Sequence, residues 1–89
     1  MLEVRLDAWM RELGVRDVER LDASNVKELL DELERRYPRL RLKLRDETGG
    51  LRRYVRVFVD GEDAGRGDGT AVPLSGVHTV DILHSIAGG

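Results

Sequence analysis

The sequence predicts an α+β fold in which one main helix packs across a mixed sheet of four to five strands. Three observations support this prediction. The first residues alternate between apolar and charged side chains, one later stretch has helical periodicity, and two runs near the C-terminus are rich in β-forming residues. The chain has 89 residues, the size of one small domain. Its 40% apolar and 36% charged content is typical of a globular protein.

The N-terminal residues predict a β-hairpin. Leu2, Val4 and Leu6 alternate with charged residues, which is the period of a half-buried strand. Residues 8–14 are less regular and end on a glycine, so we expect a turn or a short helical loop there. A second strand over about residues 16–22 should then return alongside the first.

The helix has the clearest signals in the chain. Asn25 stands three residues before Glu28, which is a variant of the capping box, and Ser24 is the alternative cap. Pro38 ends the helix because it disfavours helical backbone at the residue before it. The apolar residues of this segment have helical spacing and form one stripe that can cover a sheet: Val26, Leu29, Leu30, Leu33 and Tyr37.

Two segments after the helix have strand-like patterns. Between residues 39 and 45, leucines alternate with basic residues, which favours a strand, with a short helical turn as the alternative. Residues 54–59 form a run rich in β-forming side chains and end at Asp60-Gly61, a tight-turn dipeptide. The glycine-rich residues 65–69 predict a flexible loop without a phosphate-binding motif.

The last third of the sequence completes the sheet. Residues 72–74 predict a short edge segment, and the dense apolar run at residues 79–83 predicts a central last strand. The element order is then strand, strand, helix, strand, short strand, strand, which is the order of the β-grasp, or ubiquitin-like, roll. We expect a β-grasp domain over residues 1–84 and a flexible C-terminal diglycine tail over residues 85–89.

Composition excludes several kinds of protein. The chain has no cysteine, which excludes disulfides and a cysteine nucleophile and argues against a structural zinc site, so we expect no metal. His78 and His84 have no carboxylate at ligand spacing, so we assign neither a role. The N-terminus lacks the apolar core of a signal peptide, and no segment is apolar enough to span a membrane. We therefore expect a cytoplasmic protein.

The charge is unevenly distributed although the net charge is only −2. Residues 35–56 contain nine basic residues and two acidic ones, so the remainder of the chain carries a net −9. A basic stretch of this kind can attract an acidic partner or nucleic acid. No aromatic platform or nucleic-acid motif accompanies the charge. We therefore expect an acidic protein partner, with a simply solvated face as the alternative.

The C-terminal sequence is unusual for a small domain. The chain ends on Gly88-Gly89, and two residues without a Cβ atom can pass through a channel too narrow for side chains. The chemically distinctive group at such an end is the α-carboxylate of Gly89. On the dipeptide alone, a frayed end or a cloning scar is the simpler interpretation.

The C-terminal half resembles the MoaD/ThiS family of ubiquitin-like sulfur carriers, and in particular its CysO-like members, which serve a cysteine synthase. The resemblance lies in residues 54–63, residues 72–74, Gly76 and residues 80–89, and the phrase Met10–Gly14 resembles the family's Leu-Arg-Glu-Leu segment.

The sequence departs from the family pattern at two places. His84-Ser85 replaces the usual proline, which bears on the stiffness of the tail and on which partner is used. Gly76-Val77-His78 replaces an acidic turn.

The resemblance implies a protein that is not itself an enzyme and binds no cofactor. An activating (E1-like) enzyme would use ATP to adenylate the Gly89 carboxylate, and sulfur would replace AMP to give a thiocarboxylate. A sulfur-accepting synthase, either a cysteine synthase or the large subunit of molybdopterin synthase, would be the second partner. By position, Leu83, Ile86, Ala87 and Gly88 match family residues that contact the partner. For Leu83, burial in the core is an equally good interpretation.

Two other functions remain open at this stage. The chain could be the small subunit of a molybdopterin synthase, which shares the same kind of tail. It could also be a ubiquitin-like protein modifier, or a β-grasp interaction module without chemistry of its own. The mass of the activated protein distinguishes thiocarboxylate formation from conjugation to other proteins.

Overall fold

The computed structural model describes residues 1–65 and 68–84. The described residues form one α-helix, α1 (Val26–Arg36), and five strands: β1 (Leu2–Leu6), β2 (Val18–Leu21), β3 (Val55–Val59), β4 (Glu62–Asp63) and β5 (Thr79–His84). Three short 3₁₀ helices connect them, at Ala8–Leu13, Pro38–Leu40 and Asp68–Ala71. The α+β prediction, with up to five strands and one main helix, is confirmed.

The sheet has the order β2-β1-β5-β3-β4, so β5 lies at its centre as its apolar sequence predicts. β5 runs parallel to β1, with Val4 opposite Val80, and antiparallel to β3, with Val57 opposite Ile82. The other two pairs, β1 with β2 and β3 with β4, are antiparallel. The sheet is therefore mixed, and its last strand has a neighbour along each side.

The helix covers one face of the sheet through its apolar stripe. Leu29, Leu30 and Leu33 are completely buried, as are the sheet residues Val80 and Ile82. Burial of each such side chain contributes roughly 1.5–3 kcal/mol relative to exposure, which makes this layer the main source of stability.

The predicted capping box forms at the start of α1. Asn25 Oδ1 accepts a hydrogen bond of 2.8 Å from the Glu28 backbone N–H, and the Glu28 carboxylate accepts one of 2.9 Å from Ser24 N. One N–H in the first turn of the helix and the N–H of the residue before the cap are thereby satisfied.

The strand expected at residues 39–45 is wrong, and the alternative, a short helical turn, is what the structure contains. The chain turns directly after Pro38, and local backbone hydrogen bonds such as Leu40 N to Tyr37 O and Lys43 N to Leu40 O replace sheet pairing. The alternating leucines nevertheless have a structural basis. Leu40 and Leu44 are completely buried, whereas the leucine between them, Leu42, is exposed.

The edge of the sheet also differs from the prediction. Residues 72–74 form only an isolated antiparallel bridge, in which Val72 O and Leu74 N pair with Val26 N and Ser24 O. The pairing does not extend into a strand because the partner segment enters α1 at Val26. The edge is instead the two-residue β4, which the turn at Asp60-Gly61 brings back against β3. Within the glycine-rich loop, Asp68–Ala71 forms a 3₁₀ helix. In the part of the chain described, no helix has both the length and the apolar composition needed to cross a bilayer.

The difference in burial between Leu42 and Leu44 allows a direct test of the turn at residues 39–45. Leu44→Ala should lower the free energy of unfolding by about 2–5 kcal/mol because it removes a fully buried side chain. Leu42→Ala should change it by no more than about 0.5 kcal/mol, because Leu42 is 53% exposed. Urea denaturation of the two variants measures both values. Equal losses would show that the segment pairs as a strand after all.

Candidate functional site

The C-terminal end of β5 directly precedes residues 85–89, the predicted tail, which lies outside the described residues. Because β1 is parallel to β5, the two strands end at the same edge of the sheet, and Asp7 follows β1 there. Because β3 is antiparallel to β5, it starts at that edge, where Val55 lies opposite His84 and Tyr54 precedes it. The topology thus brings together residues that are far apart in the sequence.

Three rings form a cluster at this edge. The Trp9 and His84 rings are stacked, with centroids 4.5 Å apart and planes 19° apart. The Tyr54 ring packs with its edge towards both, 5.3 Å from His84 and 6.1 Å from Trp9. Aromatic pairs in such geometry contribute about 0.5–1.5 kcal/mol beyond their buried area. The cluster therefore holds the last described residue of the chain against the domain.

The Asp7 carboxylate holds the backbone at the same place. Its Oδ1 accepts a hydrogen bond of 3.0 Å from Trp9 N, and its Oδ2 accepts one of 3.0 Å from His84 N. The Asp7 N–H in turn donates to the Ile82 carbonyl at 3.2 Å. The N–H groups of Trp9 and then His84 lower the pKa of Asp7 below its usual value of 3.8, because they stabilise the ionised carboxylate.

Leu83 lies on the opposite face of the sheet from the helix. It is 40% exposed, so burial in the core is not its role. Its cross-strand neighbour is Arg56, whose guanidinium pairs with the Asp63 carboxylate and lies 5.9 Å from the centroid of the Phe58 ring. Contact between Leu83 and a partner stays a prediction, and the structure places this apolar side chain where such contact is sterically open.

The other predicted site residues, Ile86, Ala87, Gly88 and Gly89, lie outside the described residues. Among residues 1–65 and 68–84, no group of three His, Asp or Glu side chains is arranged to hold a metal ion.

Sequence reasoning did not single out Asp7, Trp9 or Tyr54, and it gave His84 no role. The available signal was their position, since Asp7 and Trp9 follow one strand, Tyr54 precedes another and His84 ends a third. These residues come together only because β5 lies between β1 and β3 in the sheet. His78, the other histidine, is exposed and donates its backbone N–H to the Asp60 carboxylate at 3.1 Å.

The mixed sheet with one helix packed across it defines a class of protein, the ubiquitin-like β-grasp domains. The chain belongs to the ThiS family, whose family model matches residues 4–89. The predicted membership of the MoaD/ThiS group is confirmed, and the chain is a ubiquitin-like sulfur carrier or modifier. A search of curated proteins found no matching sequence.

Solved structures agree with this assignment. A chain of the Amycolatopsis orientalis BexX/CysO complex is 25% identical, with a TM-score of 0.80 and full coverage of both chains. SAMP1 from Haloferax volcanii is also 25% identical, with a TM-score of 0.73 over 99% of this chain and 98% of that one. Mycobacterium tuberculosis CysO, at 22% identity, has the same fold, with a TM-score of 0.83 over 97% of this chain and 100% of that one.

The Asp7 contacts predict a specific pH dependence. The pKa of Asp7 is lower in the folded protein than in the unfolded chain, so its stabilising effect is complete above about pH 4 and is lost as the pH falls through the folded value. Asp7→Asn should therefore be less stable than the wild type at pH 6, and the difference should shrink below pH 4. Urea denaturation between pH 6 and pH 2.5 measures it.

Asp22→Asn is the matched control, because Asp22 is a strongly exposed carboxylate whose recorded partner is the N-terminal ammonium group, at 3.7 Å. Its difference from the wild type should stay small over the whole range. An Asp7→Asn difference that does not vary with pH would contradict the proposed hydrogen bonding.

Proposed function

We propose that this protein carries sulfur as a thiocarboxylate on Gly89 and delivers it to a biosynthetic enzyme. The observation that carries the proposal is the ThiS family match, which extends to Gly89 itself. The geometry of the domain supports it, because the strand that leads to the tail is central in the sheet and is anchored at His84.

The reaction has two steps, both carried out by an activating (E1-like) enzyme. The Gly89 carboxylate attacks the α-phosphate of ATP, forming an acyl adenylate and releasing pyrophosphate. In the second step, the terminal sulfur of a persulfide donor attacks the acyl carbon and AMP leaves, which gives an acyl disulfide. A thiol then cleaves the S–S bond, releasing the thiocarboxylate and leaving a disulfide on the donor. A thioacid is ionised at neutral pH, so the product is a ready nucleophile.

The protein's own contribution is positioning rather than acid–base chemistry. The Asp7 carboxylate and the ring of Trp9 fix the backbone and the side chain of His84, five residues before Gly89. A fixed starting point reduces the conformational freedom that the enzyme must remove when it binds the tail. We infer that the protein is a co-substrate of its partners and not an enzyme, and that ATP binds only to the activating partner.

The second partner is a synthase that accepts the sulfur. Resemblance to the CysO-like carriers favours a cysteine synthase, and two of the similar structures contain a protein named CysO. The large subunit of molybdopterin synthase is the alternative acceptor, in which case this chain is the small subunit of that enzyme.

One observation favours a second function. SAMP1 is as similar in sequence as the chain from the CysO complex, and a SAMP1 structure from the same species is described as a small archaeal modifier protein. The activated Gly89 acyl group could then be transferred to an amine of another protein, forming an amide in place of the thiocarboxylate.

The mass of the activated protein separates the two functions. Incubation with the activating enzyme of the same organism, ATP and a sulfide donor should raise the intact mass by about 16 Da, since sulfur replaces oxygen in the acyl product. Omission of ATP is the control and should leave the mass unchanged. Heavier conjugates without the 16 Da species would favour the modifier, and no change at all would overturn both.

The terminal glycines should be essential for activation and unimportant for folding. Gly88→Val and deletion of Gly89 should each lower ATP–pyrophosphate exchange at least about 100-fold, because bulk or a missing residue displaces the carboxylate from the reacting phosphate. Circular dichroism and urea denaturation should match the wild type. The matched substitution Gly50→Ala, at a turn glycine without a left-handed φ where an added Cβ would make only ordinary contacts, should leave exchange intact. Normal adenylation of both tail variants would refute the role of Gly89.

A further inference from the structure

Four basic residues in the segment after the helix have no acidic partner among the described residues. Of the nine basic residues between positions 35 and 56, five are engaged: Arg35, Arg36, Arg45 and Arg56 in ion pairs, and Arg52 with the Leu42 carbonyl. Within the described part of the chain, no carboxylate lies at ion-pair distance from the other four, all exposed: Arg39, Arg41, Lys43 and Arg53. Five of the nine basic residues thus make contacts within the domain, and the other four form an exposed basic surface.

An apolar side chain stands among these charges. Leu42, between Arg41 and Lys43, is 53% exposed and has a φ of +62°, in the left-handed region that residues with a side chain rarely adopt. Its backbone is held there by Arg52, whose Nε donates to the Leu42 carbonyl at 2.6 Å and whose N–H donates to the Leu44 carbonyl at 3.0 Å. A backbone conformation of this kind persists only where the surroundings impose it, and such positions are common at binding sites.

This surface adjoins the point where the tail leaves. The Tyr54 hydroxyl donates to the Lys43 carbonyl at 3.3 Å, and the Tyr54 ring packs against His84. A protein that binds the chain beyond His84 therefore has to approach the turn that contains Leu42 and Lys43. Whichever acceptor is used later, the activating enzyme must bind first, since adenylation precedes sulfur transfer.

We propose that Leu42 and the four surrounding cations, Arg39, Arg41, Lys43 and Arg53, form a docking surface for the activating enzyme. We name this set the Leu42 surface, and the inference rests on the proposed function. Charge complementarity identifies the chemistry of the partner, an acidic surface around an apolar depression that receives Leu42. The unpaired cations increase the rate of encounter, and the exposed leucine supplies apolar contact near the anchored tail.

Nucleic acid is the other polymer that binds cations of this kind. Single strands bind through exposed rings on which bases stack, and the ring of Tyr54 beside this surface is already packed against Trp9 and His84. The observations therefore favour a protein partner.

The test measures the dependence of ATP–pyrophosphate exchange on the concentration of this protein, with the activating enzyme of the same organism. Arg41→Glu combined with Lys43→Glu should raise KM about 10-fold or more and leave kcat within about twofold, because docking changes while the chemistry does not. Leu42→Ala should raise KM at least about threefold. Added salt should raise KM of the wild type more steeply than KM of the charge-reversed variant.

Arg20→Glu combined with Lys27→Glu is the matched control. It changes the net charge equally at two exposed cations outside the Leu42 surface, on β2 and near the start of α1. Its KM should stay within about twofold of the wild type, since long-range steering by net charge is weaker than local contact. Urea denaturation of every variant shows that each is folded.

Each result supports or overturns the inference. If KM of the Leu42-surface variants is unchanged, or equals that of the control variant, the docking inference is overturned. The proposed function still stands in that case, provided that the wild-type protein supports exchange. Absence of exchange with the wild type overturns both. A labelled 20-nucleotide single strand serves as the competing ligand. Micromolar binding at 150 mM salt, lost on reversal of Arg41 and Lys43, would assign the surface to nucleic acid instead.

Discussion

The pairing of β5 with strands on both of its sides is the constraint on which the structure depends. Its backbone is hydrogen-bonded to β1 in parallel and to β3 in antiparallel direction, and Val80 and Ile82 are fully buried beneath the helix. A strand held in this way cannot shift its register without exposing its apolar residues. The position of His84, and therefore the place where the tail begins, is fixed by the whole sheet rather than by a local turn.

The same pairing assembles the aromatic cluster and its carboxylate. Asp7, Tyr54 and His84 meet only because parallel and antiparallel neighbours end or start at one edge of the sheet. Under the proposed function the reacting group is the end of the chain, so the domain needs no side-chain nucleophile or base. Its contribution is then a fixed position for His84, which the rings and the backbone hydrogen bonds supply.

The basic residues at positions 35–56 fall into two groups in the folded chain, those paired within the domain and those exposed. The basic stretch predicts an acidic partner, yet Arg36 and Arg45 bind carboxylates on the helix and on β2. These pairs connect parts of the domain, and their carboxylates neutralise the charge that a partner would otherwise encounter. The remaining cations lie on two segments that are hydrogen-bonded to each other, beside the anchored end of β5. The proposed role of this surface follows from its position beside His84 and not from the number of arginines.

The sequence by itself determined the fold class, the helix with its cap, the central last strand and the family resemblance, because periodicity, capping and a terminal motif are local properties. It failed at residues 39–45, where an alternation read as a strand proved to be a turn with Leu40 and Leu44 buried and Leu42 exposed. It also missed the β4 edge and the cluster around His84. These features depend on which strands become neighbours, and long-range pairing leaves no local pattern to read. Tertiary structure therefore decided how His84 is anchored and which cations near it have no ion-pair partner among the described residues.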